Sequence, residues 1–235
     1  MNLHSISHYH ILAILLLLLA APATTSARAD ESVETQMKVH RLTTAETSPY
    51  DAFAYLNRIN TGLSDDESPK DFAGRLFGRL ANQEGRILLK LPTGFSPLAY
   101  DGLKTFYRTY GTSKVGNCVA CHVPPTFTDG SAHIVDSAKQ ARETPSLRNL
   151  GKSAPYLHDG SAQSLEDVLK QKIRMSEQAR EDATAGIDPE YAIINITQDD
   201  IPALVEFLET MNDVGQDRFR EIVMNAKILD TSDWE

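Results

Sequence analysis

Cysteine is nearly missing from this chain: 235 residues contain two. So low a count excludes a disulfide framework and a four-cysteine zinc site. Tryptophan is scarcer still, with Trp234 alone at the far end. Positive charge is in deficit, 23 Lys+Arg against 32 Asp+Glu, for a net charge of −9. That balance offers no broad attraction to phosphate backbones or anionic lipid, so neither nucleic acid nor a membrane surface is an expected partner. A membrane-length hydrophobic run is lacking too. The apolar stretch Ile11–Ala20, ILAILLLLLA, is about half of the ~20 residues a span needs, but it falls within the ~7–15 of a secretory h-region.

What is there begins with that leader. Small residues follow it, and Ala27-Arg28-Ala29 offers an A-x-A cleavage site. The expected mature start lies near Asp30, with 1–29 as a signal peptide, although the n-region carries His4, His8 and His10 instead of Lys or Arg. Because the leader holds one Arg and no acid, the mature net charge becomes −10. Export would place the cysteines in a periplasmic or other extracytoplasmic compartment, where covalent cysteine chemistry is permitted. Once the leader is cleaved, no membrane span is expected.

The remaining chain is long enough for one domain with an extension. Its punctuation is helical. Ser48-Pro49, Ser68-Pro69 and Ser96-Pro97 each pair an N-cap with a proline at the first helical position. They precede the periodic sets Phe53/Leu56/Ile59 (ending near Gly62), Phe72/Leu76/Leu80 and Leu98/Leu103/Phe106/Tyr110. Ser164 with Asp167 and Thr197 with Asp200 are capping-box variants opening helices 165–175 and 198–211. A last amphipathic stretch covers 216–227. Arg86–Leu91 and Tyr191–Ile196 are short apolar runs suited to extended structure. Asp65-Asp66-Glu67 and the 176–190 stretch read as solvated turns. The expected fold class is mainly α. A soft boundary near Pro92–Ser96 divides a helical extension, 30–95, from the chemically distinctive 96–214 and a C-terminal helix and tail, 215–235.

Cys118-Val119-Ala120-Cys121-His122 is C-x-x-C-H, the attachment signature of c-type haem. Two thiols separated by two residues on a turn reach both vinyl groups of one porphyrin edge, and the next imidazole then faces the iron. A zinc knuckle lacks its other ligands, since His40, His133 and His158 have no H-x₃₋₅-H spacing. A thioredoxin-type pair lacks the strand that would feed it. A plain disulfide leaves His122 unexplained. Gly102 and Phe106 on one helix, and Leu204, Phe207 and Leu208 on another, suit a close crossing near the haem. The carbonyls of Val123-Pro124-Pro125 are expected to accept the second ring N–H of His122.

From about Leu98 to Asn212 the sequence resembles the C-terminal haem domain of bacterial di-haem cytochrome c peroxidases and the related methylamine-utilisation maturation enzymes. The residues carrying the likeness are GLKTF at 102–106, CVACH, Phe127-Thr128-Asp129 followed by His133, TPSLRN at 144–149, APYLHDG at 154–160 and SLEDV at 164–168. The likeness implies a cytochrome c-like helical domain holding one haem c covalently through Cys118 and Cys121, with His122 as an axial ligand. It places the second axial ligand at Met175; Met211 shares a face with Leu204, Phe207 and Leu208 and reads as core. It gives Arg148 a haem-propionate contact. Should Met175 not ligate, the iron is open or takes His133 or His158. Di-haem members carry a second C-x-x-C-H, whereas residues 30–95 hold neither cysteine nor tryptophan. What the resemblance implies is therefore the electron-transferring half of such an enzyme: a His/Met mono-haem carrier moving single electrons between a donor and an acceptor protein. The alternative it leaves is a peroxidase-like haem enzyme acting on hydrogen peroxide with a partner haem protein. A third reading makes 30–95 a partner-docking segment. Family members are often dimers, so a homodimer is among the implied assemblies.

Overall fold

A computed structural model describes residues 47–64, 66–80, 88–136, 139–182 and 186–230. The expected signal peptide and His40 lie outside them. The architecture is mainly α, and the serine caps decide where its helices start. α1, Pro49–Leu56, opens on a full capping box, with the Ser48 backbone N–H donating to Asp51 at 3.0 Å. α2, Pro69–Leu80, opens where the Asp71 N–H donates to Ser68 Oγ at 3.1 Å. α3, Pro97–Tyr107, is capped by Ser96. α4, Leu165–Glu181, repeats the box with Ser164 and Asp167.

The ends depart from expectation for local reasons. α1 stops at Leu56, short of Gly62, because the Asn57 amide turns back onto the Phe53 carbonyl at 2.8 Å and Arg58 goes left-handed. α4 runs on through 176–181, so that stretch is helix and not a solvated turn. Ser176 is buried there, and the Arg180 guanidinium donates to the Ile194 carbonyl. Tyr191–Ile196 is not a strand. Pro189 starts a single helical turn, α5, Glu190–Ile193, and beyond it Asn195 forms an isolated bridge to Val115. The 198–211 segment divides into a 3₁₀ turn, Gln198–Asp200, and α6, Ile201–Glu209. α7 is Gln216–Met224.

Two small antiparallel ladders complete the fold. β1, Leu88–Leu91, pairs with β4, Lys227–Asp230, in the register Leu89↔Leu229. β2, Ala132–Ile134, pairs with β3, Ala141–Glu143.

The principal packing is α3 on α6. Gly102 lies so close to the other helix that a Cβ there would sit 1.9 Å from the Ala203 carbonyl oxygen. Only glycine permits that approach. Phe106 and Phe207 then meet edge to face at 5.2 Å, as the sequence suggested. Residues on both sides of Pro92–Ser96 share this core. Phe53 stacks on Phe95 at 4.3 Å, and the Tyr50 and Tyr107 hydroxyls are hydrogen-bonded at 2.8 Å. Tyr50, Phe53, Phe72 and Leu76 belong to one hydrophobic cluster with Leu103, Phe106, Leu204 and Phe207. Leu89 and Leu91 on β1 join the same cluster.

Candidate functional site: the Cys118–His122 turn

The loop leaving α3 is pinned before it reaches the motif. Gly116 N–H donates to the Thr105 carbonyl and Asn117 N–H to Arg108, both at 3.0 Å. A Cβ on Gly116 would lie 2.5 Å from Thr105 O and 3.2 Å from Cys118 Sγ, so the residue must be small. Asn117 is left-handed, a conformation asparagine tolerates, and its amide donates to the carbonyl and the carboxylate of Glu190 at 3.1 and 2.9 Å. This ties α5 to the motif.

Cys118–Ala120 form one 3₁₀ turn, closed by Cys121 N–H to the Cys118 carbonyl at 3.3 Å, and His122 N–H donates to the same carbonyl at 2.9 Å. Both cysteines are free thiols, half-buried on the same turn. Burial pushes the Cys118 thiol up to about 12. The Cys121 thiol rises to about 11, first through burial and then through Asp129, Asp188 and Glu190. A disulfide oxidoreductase needs the opposite, a lowered thiol pKa.

His122 Nδ1 lies 3.0 Å from the Phe127 carbonyl. The acceptor is thus two residues beyond Val123-Pro124-Pro125, where it was expected. Phe127 is fully buried and left-handed, which turns its carbonyl back toward the ring. Burial lowers the His122 pKa to about 4, so the ring is neutral at ordinary pH. A neutral imidazole oriented by a backbone carbonyl, next to two thiols on one turn, suits covalent haem c, and the residues present fit that group.

Met175 is buried, at 8 % exposure, on α4. One turn before it on the same helix, Lys172 acts electrostatically on Cys118, Cys121 and His122, which brings α4 alongside the motif. Met211 is fully buried within the hydrophobic cluster, as its helix face required. Met224 is exposed. His158 and Lys152 are exposed on the 150–160 loop.

Arg148 has partners within the protein. Its guanidinium grips Asp51 through two bonds of 2.7 and 2.9 Å, and Nε donates to the Pro125 carbonyl at 2.9 Å. Its carbon lies 5.2 Å from the Phe127 ring centroid. Arg148 therefore clamps α1 to the loop whose Phe127 carbonyl orients His122.

His133, on β2, is held at both nitrogens: Nδ1 lies 2.6 Å from Asp188 and Nε2 lies 2.8 Å from Asp129. Potential ligand atoms of Cys121, Asp129 and His133 all lie within 4.8 Å of one another. Both His133 nitrogens are thus engaged by carboxylates within the protein. The hydrogen bond to Asp129, then that to Asp188, raises the His133 pKa against the opposing effect of burial. Asp188 and Glu190 come from 176–190, a stretch without a site signal in the sequence. Asp188 sits 55 residues from its histidine, beyond the reach of any local pattern.

No helix among the described residues is long and apolar enough to cross a membrane. No family model matches the chain, and no solved structure matches it. Two curated relatives do, in part. The methylamine utilization protein MauG of Methylophilus methylotrophus is 28 % identical over 126 residues, covering 46 % of this chain and 37 % of the relative. The MauG protein of Methylorubrum extorquens is 34 % identical over 118 residues, 43 % of this chain and 32 % of the relative. The match spans about a third of the length of these relatives. Over that span, the chain is a partial homologue of the MauG methylamine utilization proteins.

Proposed function

We propose that the chain is an exported mono-haem c-type cytochrome, related to cytochrome c peroxidase-like haem proteins, that passes single electrons between redox partner proteins. The observation that carries this reading is the Cys118–His122 turn, with the His122 Nδ1–H donating to the buried Phe127 carbonyl. Haem c, when bound, supplies a one-electron iron couple. Cys118 and Cys121 would hold it covalently, and His122 would ligate the iron through Nε2, its tautomer set by Phe127. Met175, buried on the helix that borders the motif, would be the second protein ligand, and a thioether there would raise the potential. Arg148 would act on the site through Pro125 and Phe127, which it already holds, rather than through a propionate alone. The chain's acidic balance suits a donor or acceptor with a basic face.

The test is the visible spectrum of the full chain produced with haem maturation machinery. The ferric protein is expected to show a methionine-to-iron charge-transfer band that Met175→Ala abolishes. An unchanged spectrum in Met175→Ala overturns the His/Met reading. Rapid turnover of hydrogen peroxide by the protein, alone or with a partner haem protein, would instead favour the peroxidase-like alternative, which the similarity to MauG keeps in play.

A further inference from the structure

Asp129, His133 and Asp188 come from three places: the loop beyond His122, strand β2 and the segment ahead of α5. Their contacts are short at both ring nitrogens, 2.6 and 2.8 Å. A neutral imidazole has one N–H, so one of these contacts would set a nitrogen lone pair against a carboxylate. Only the imidazolium donates in both directions. The Asp188 N–H also donates to the Ile134 carbonyl at 2.9 Å, which fixes the bridge to β2. The bridge stands beside Cys121, whose sulfur lies within 4.8 Å of potential ligand atoms of both Asp129 and His133.

We propose that the Asp129–His133–Asp188 bridge is a proton-binding site coupled to electron transfer at the neighbouring haem centre. This rests on the electron-carrier reading above. His133 would take one proton from solvent as a bound haem gained one electron from a donor protein, and would return it as that electron left. The coupling is electrostatic. An added electron makes the centre more negative and raises proton affinity beside it, while the imidazolium favours the reduced state.

The other charged groups facing the bridge leave it as the proton carrier. Arg142 on β3 is the register partner of His133, and its Nε lies 3.6 Å from Asp136. Glu190 accepts from Asn117, and Lys172 on α4 is bonded to Tyr191. The Cys121 thiol no longer titrates once it is a thioether. Protonated, the triad of two carboxylates and one imidazolium carries one net negative charge; deprotonated, it carries two. The site therefore has a pH-linked charge beside the attachment cysteine, and its upward-shifted histidine places the change above ~6.5, the ordinary histidine value.

The experiment is a redox titration of the holoprotein over a pH series. The midpoint potential is expected to fall with rising pH across the His133 titration. His133→Gln should remove that step while the ferric and ferrous spectra persist. Asp188→Asn removes one of the two anions, so the step should move down by roughly one pH unit. An equal pH dependence in His133→Gln, or a flat wild-type profile in a protein with a normal haem spectrum, overturns this proposal alone. Absence of any haem spectrum in the wild type overturns the carrier reading and this one with it. If His133→Gln does not fold, the Asp188→Asn shift decides, and an unmoved step refutes the coupling.

Discussion

Asp51→Asn removes the charge that Arg148 grips while keeping the size of the side chain. The perturbation is severe because the pair is hidden: the Asp51 side chain is 4 % exposed and that of Arg148 15 %. Breaking one partner of a buried pair costs about 3–5 kcal/mol, since the remaining charge loses its counter-ion without regaining water. The partial exposure of Arg148 lets solvent reach the orphaned guanidinium, so the lower end applies, about 3 kcal/mol. For a chain of this size that corresponds to a fall in Tm of roughly 6–12 °C. Asparagine can still accept at the Ser48 cap, so α1 itself should persist. Urea unfolding followed by far-UV circular dichroism measures the cost. Adding Arg148→Met removes the orphan, so the double variant should lose less than the sum of the two singles. A Tm change under about 2 °C for Asp51→Asn, or singles that add within about 0.5 kcal/mol, would refute the view that this pair fastens α1 to the Pro125–Phe127 loop.

Two glycines in helices should respond oppositely to alanine. Gly102→Ala drives a Cβ to 1.9 Å from the Ala203 backbone and should prevent accumulation of folded protein. Gly74→Ala on α2 meets nothing within 4 Å, so helix propensity should stabilise the chain by up to about 1 kcal/mol, read as a higher urea midpoint. His133 gives a third test, in stability. Its folded pKa is raised, so the bridge contributes fully below ~6.5, and the contribution is lost as pH rises through the folded value. Urea midpoints should decline over that window in the wild type and flatten in His133→Gln; parallel curves would contradict the assignment.

Helix starts were legible in the sequence because each is decided by a bond spanning three residues. Ser48 caps α1 ahead of Pro49, and Ser164 with Asp167 and Thr197 with Asp200 form the boxes their spacing announces. The Cys118–His122 turn is local in the same way, and the Gly102–Phe106 face found its partner helix because small and aromatic residues at that spacing leave few other uses. By itself, then, the sequence determined a mainly helical chain with one concentrated chemical motif. Tertiary structure alone decided the rest. β1 with β4, Arg148 with Asp51 and His133 with Asp188 join residues far apart in the chain, and no periodicity encodes which distant group will arrive. Loop closure sets those pairings, and burial then makes them strong, by removing the water that would otherwise compete for the same charges.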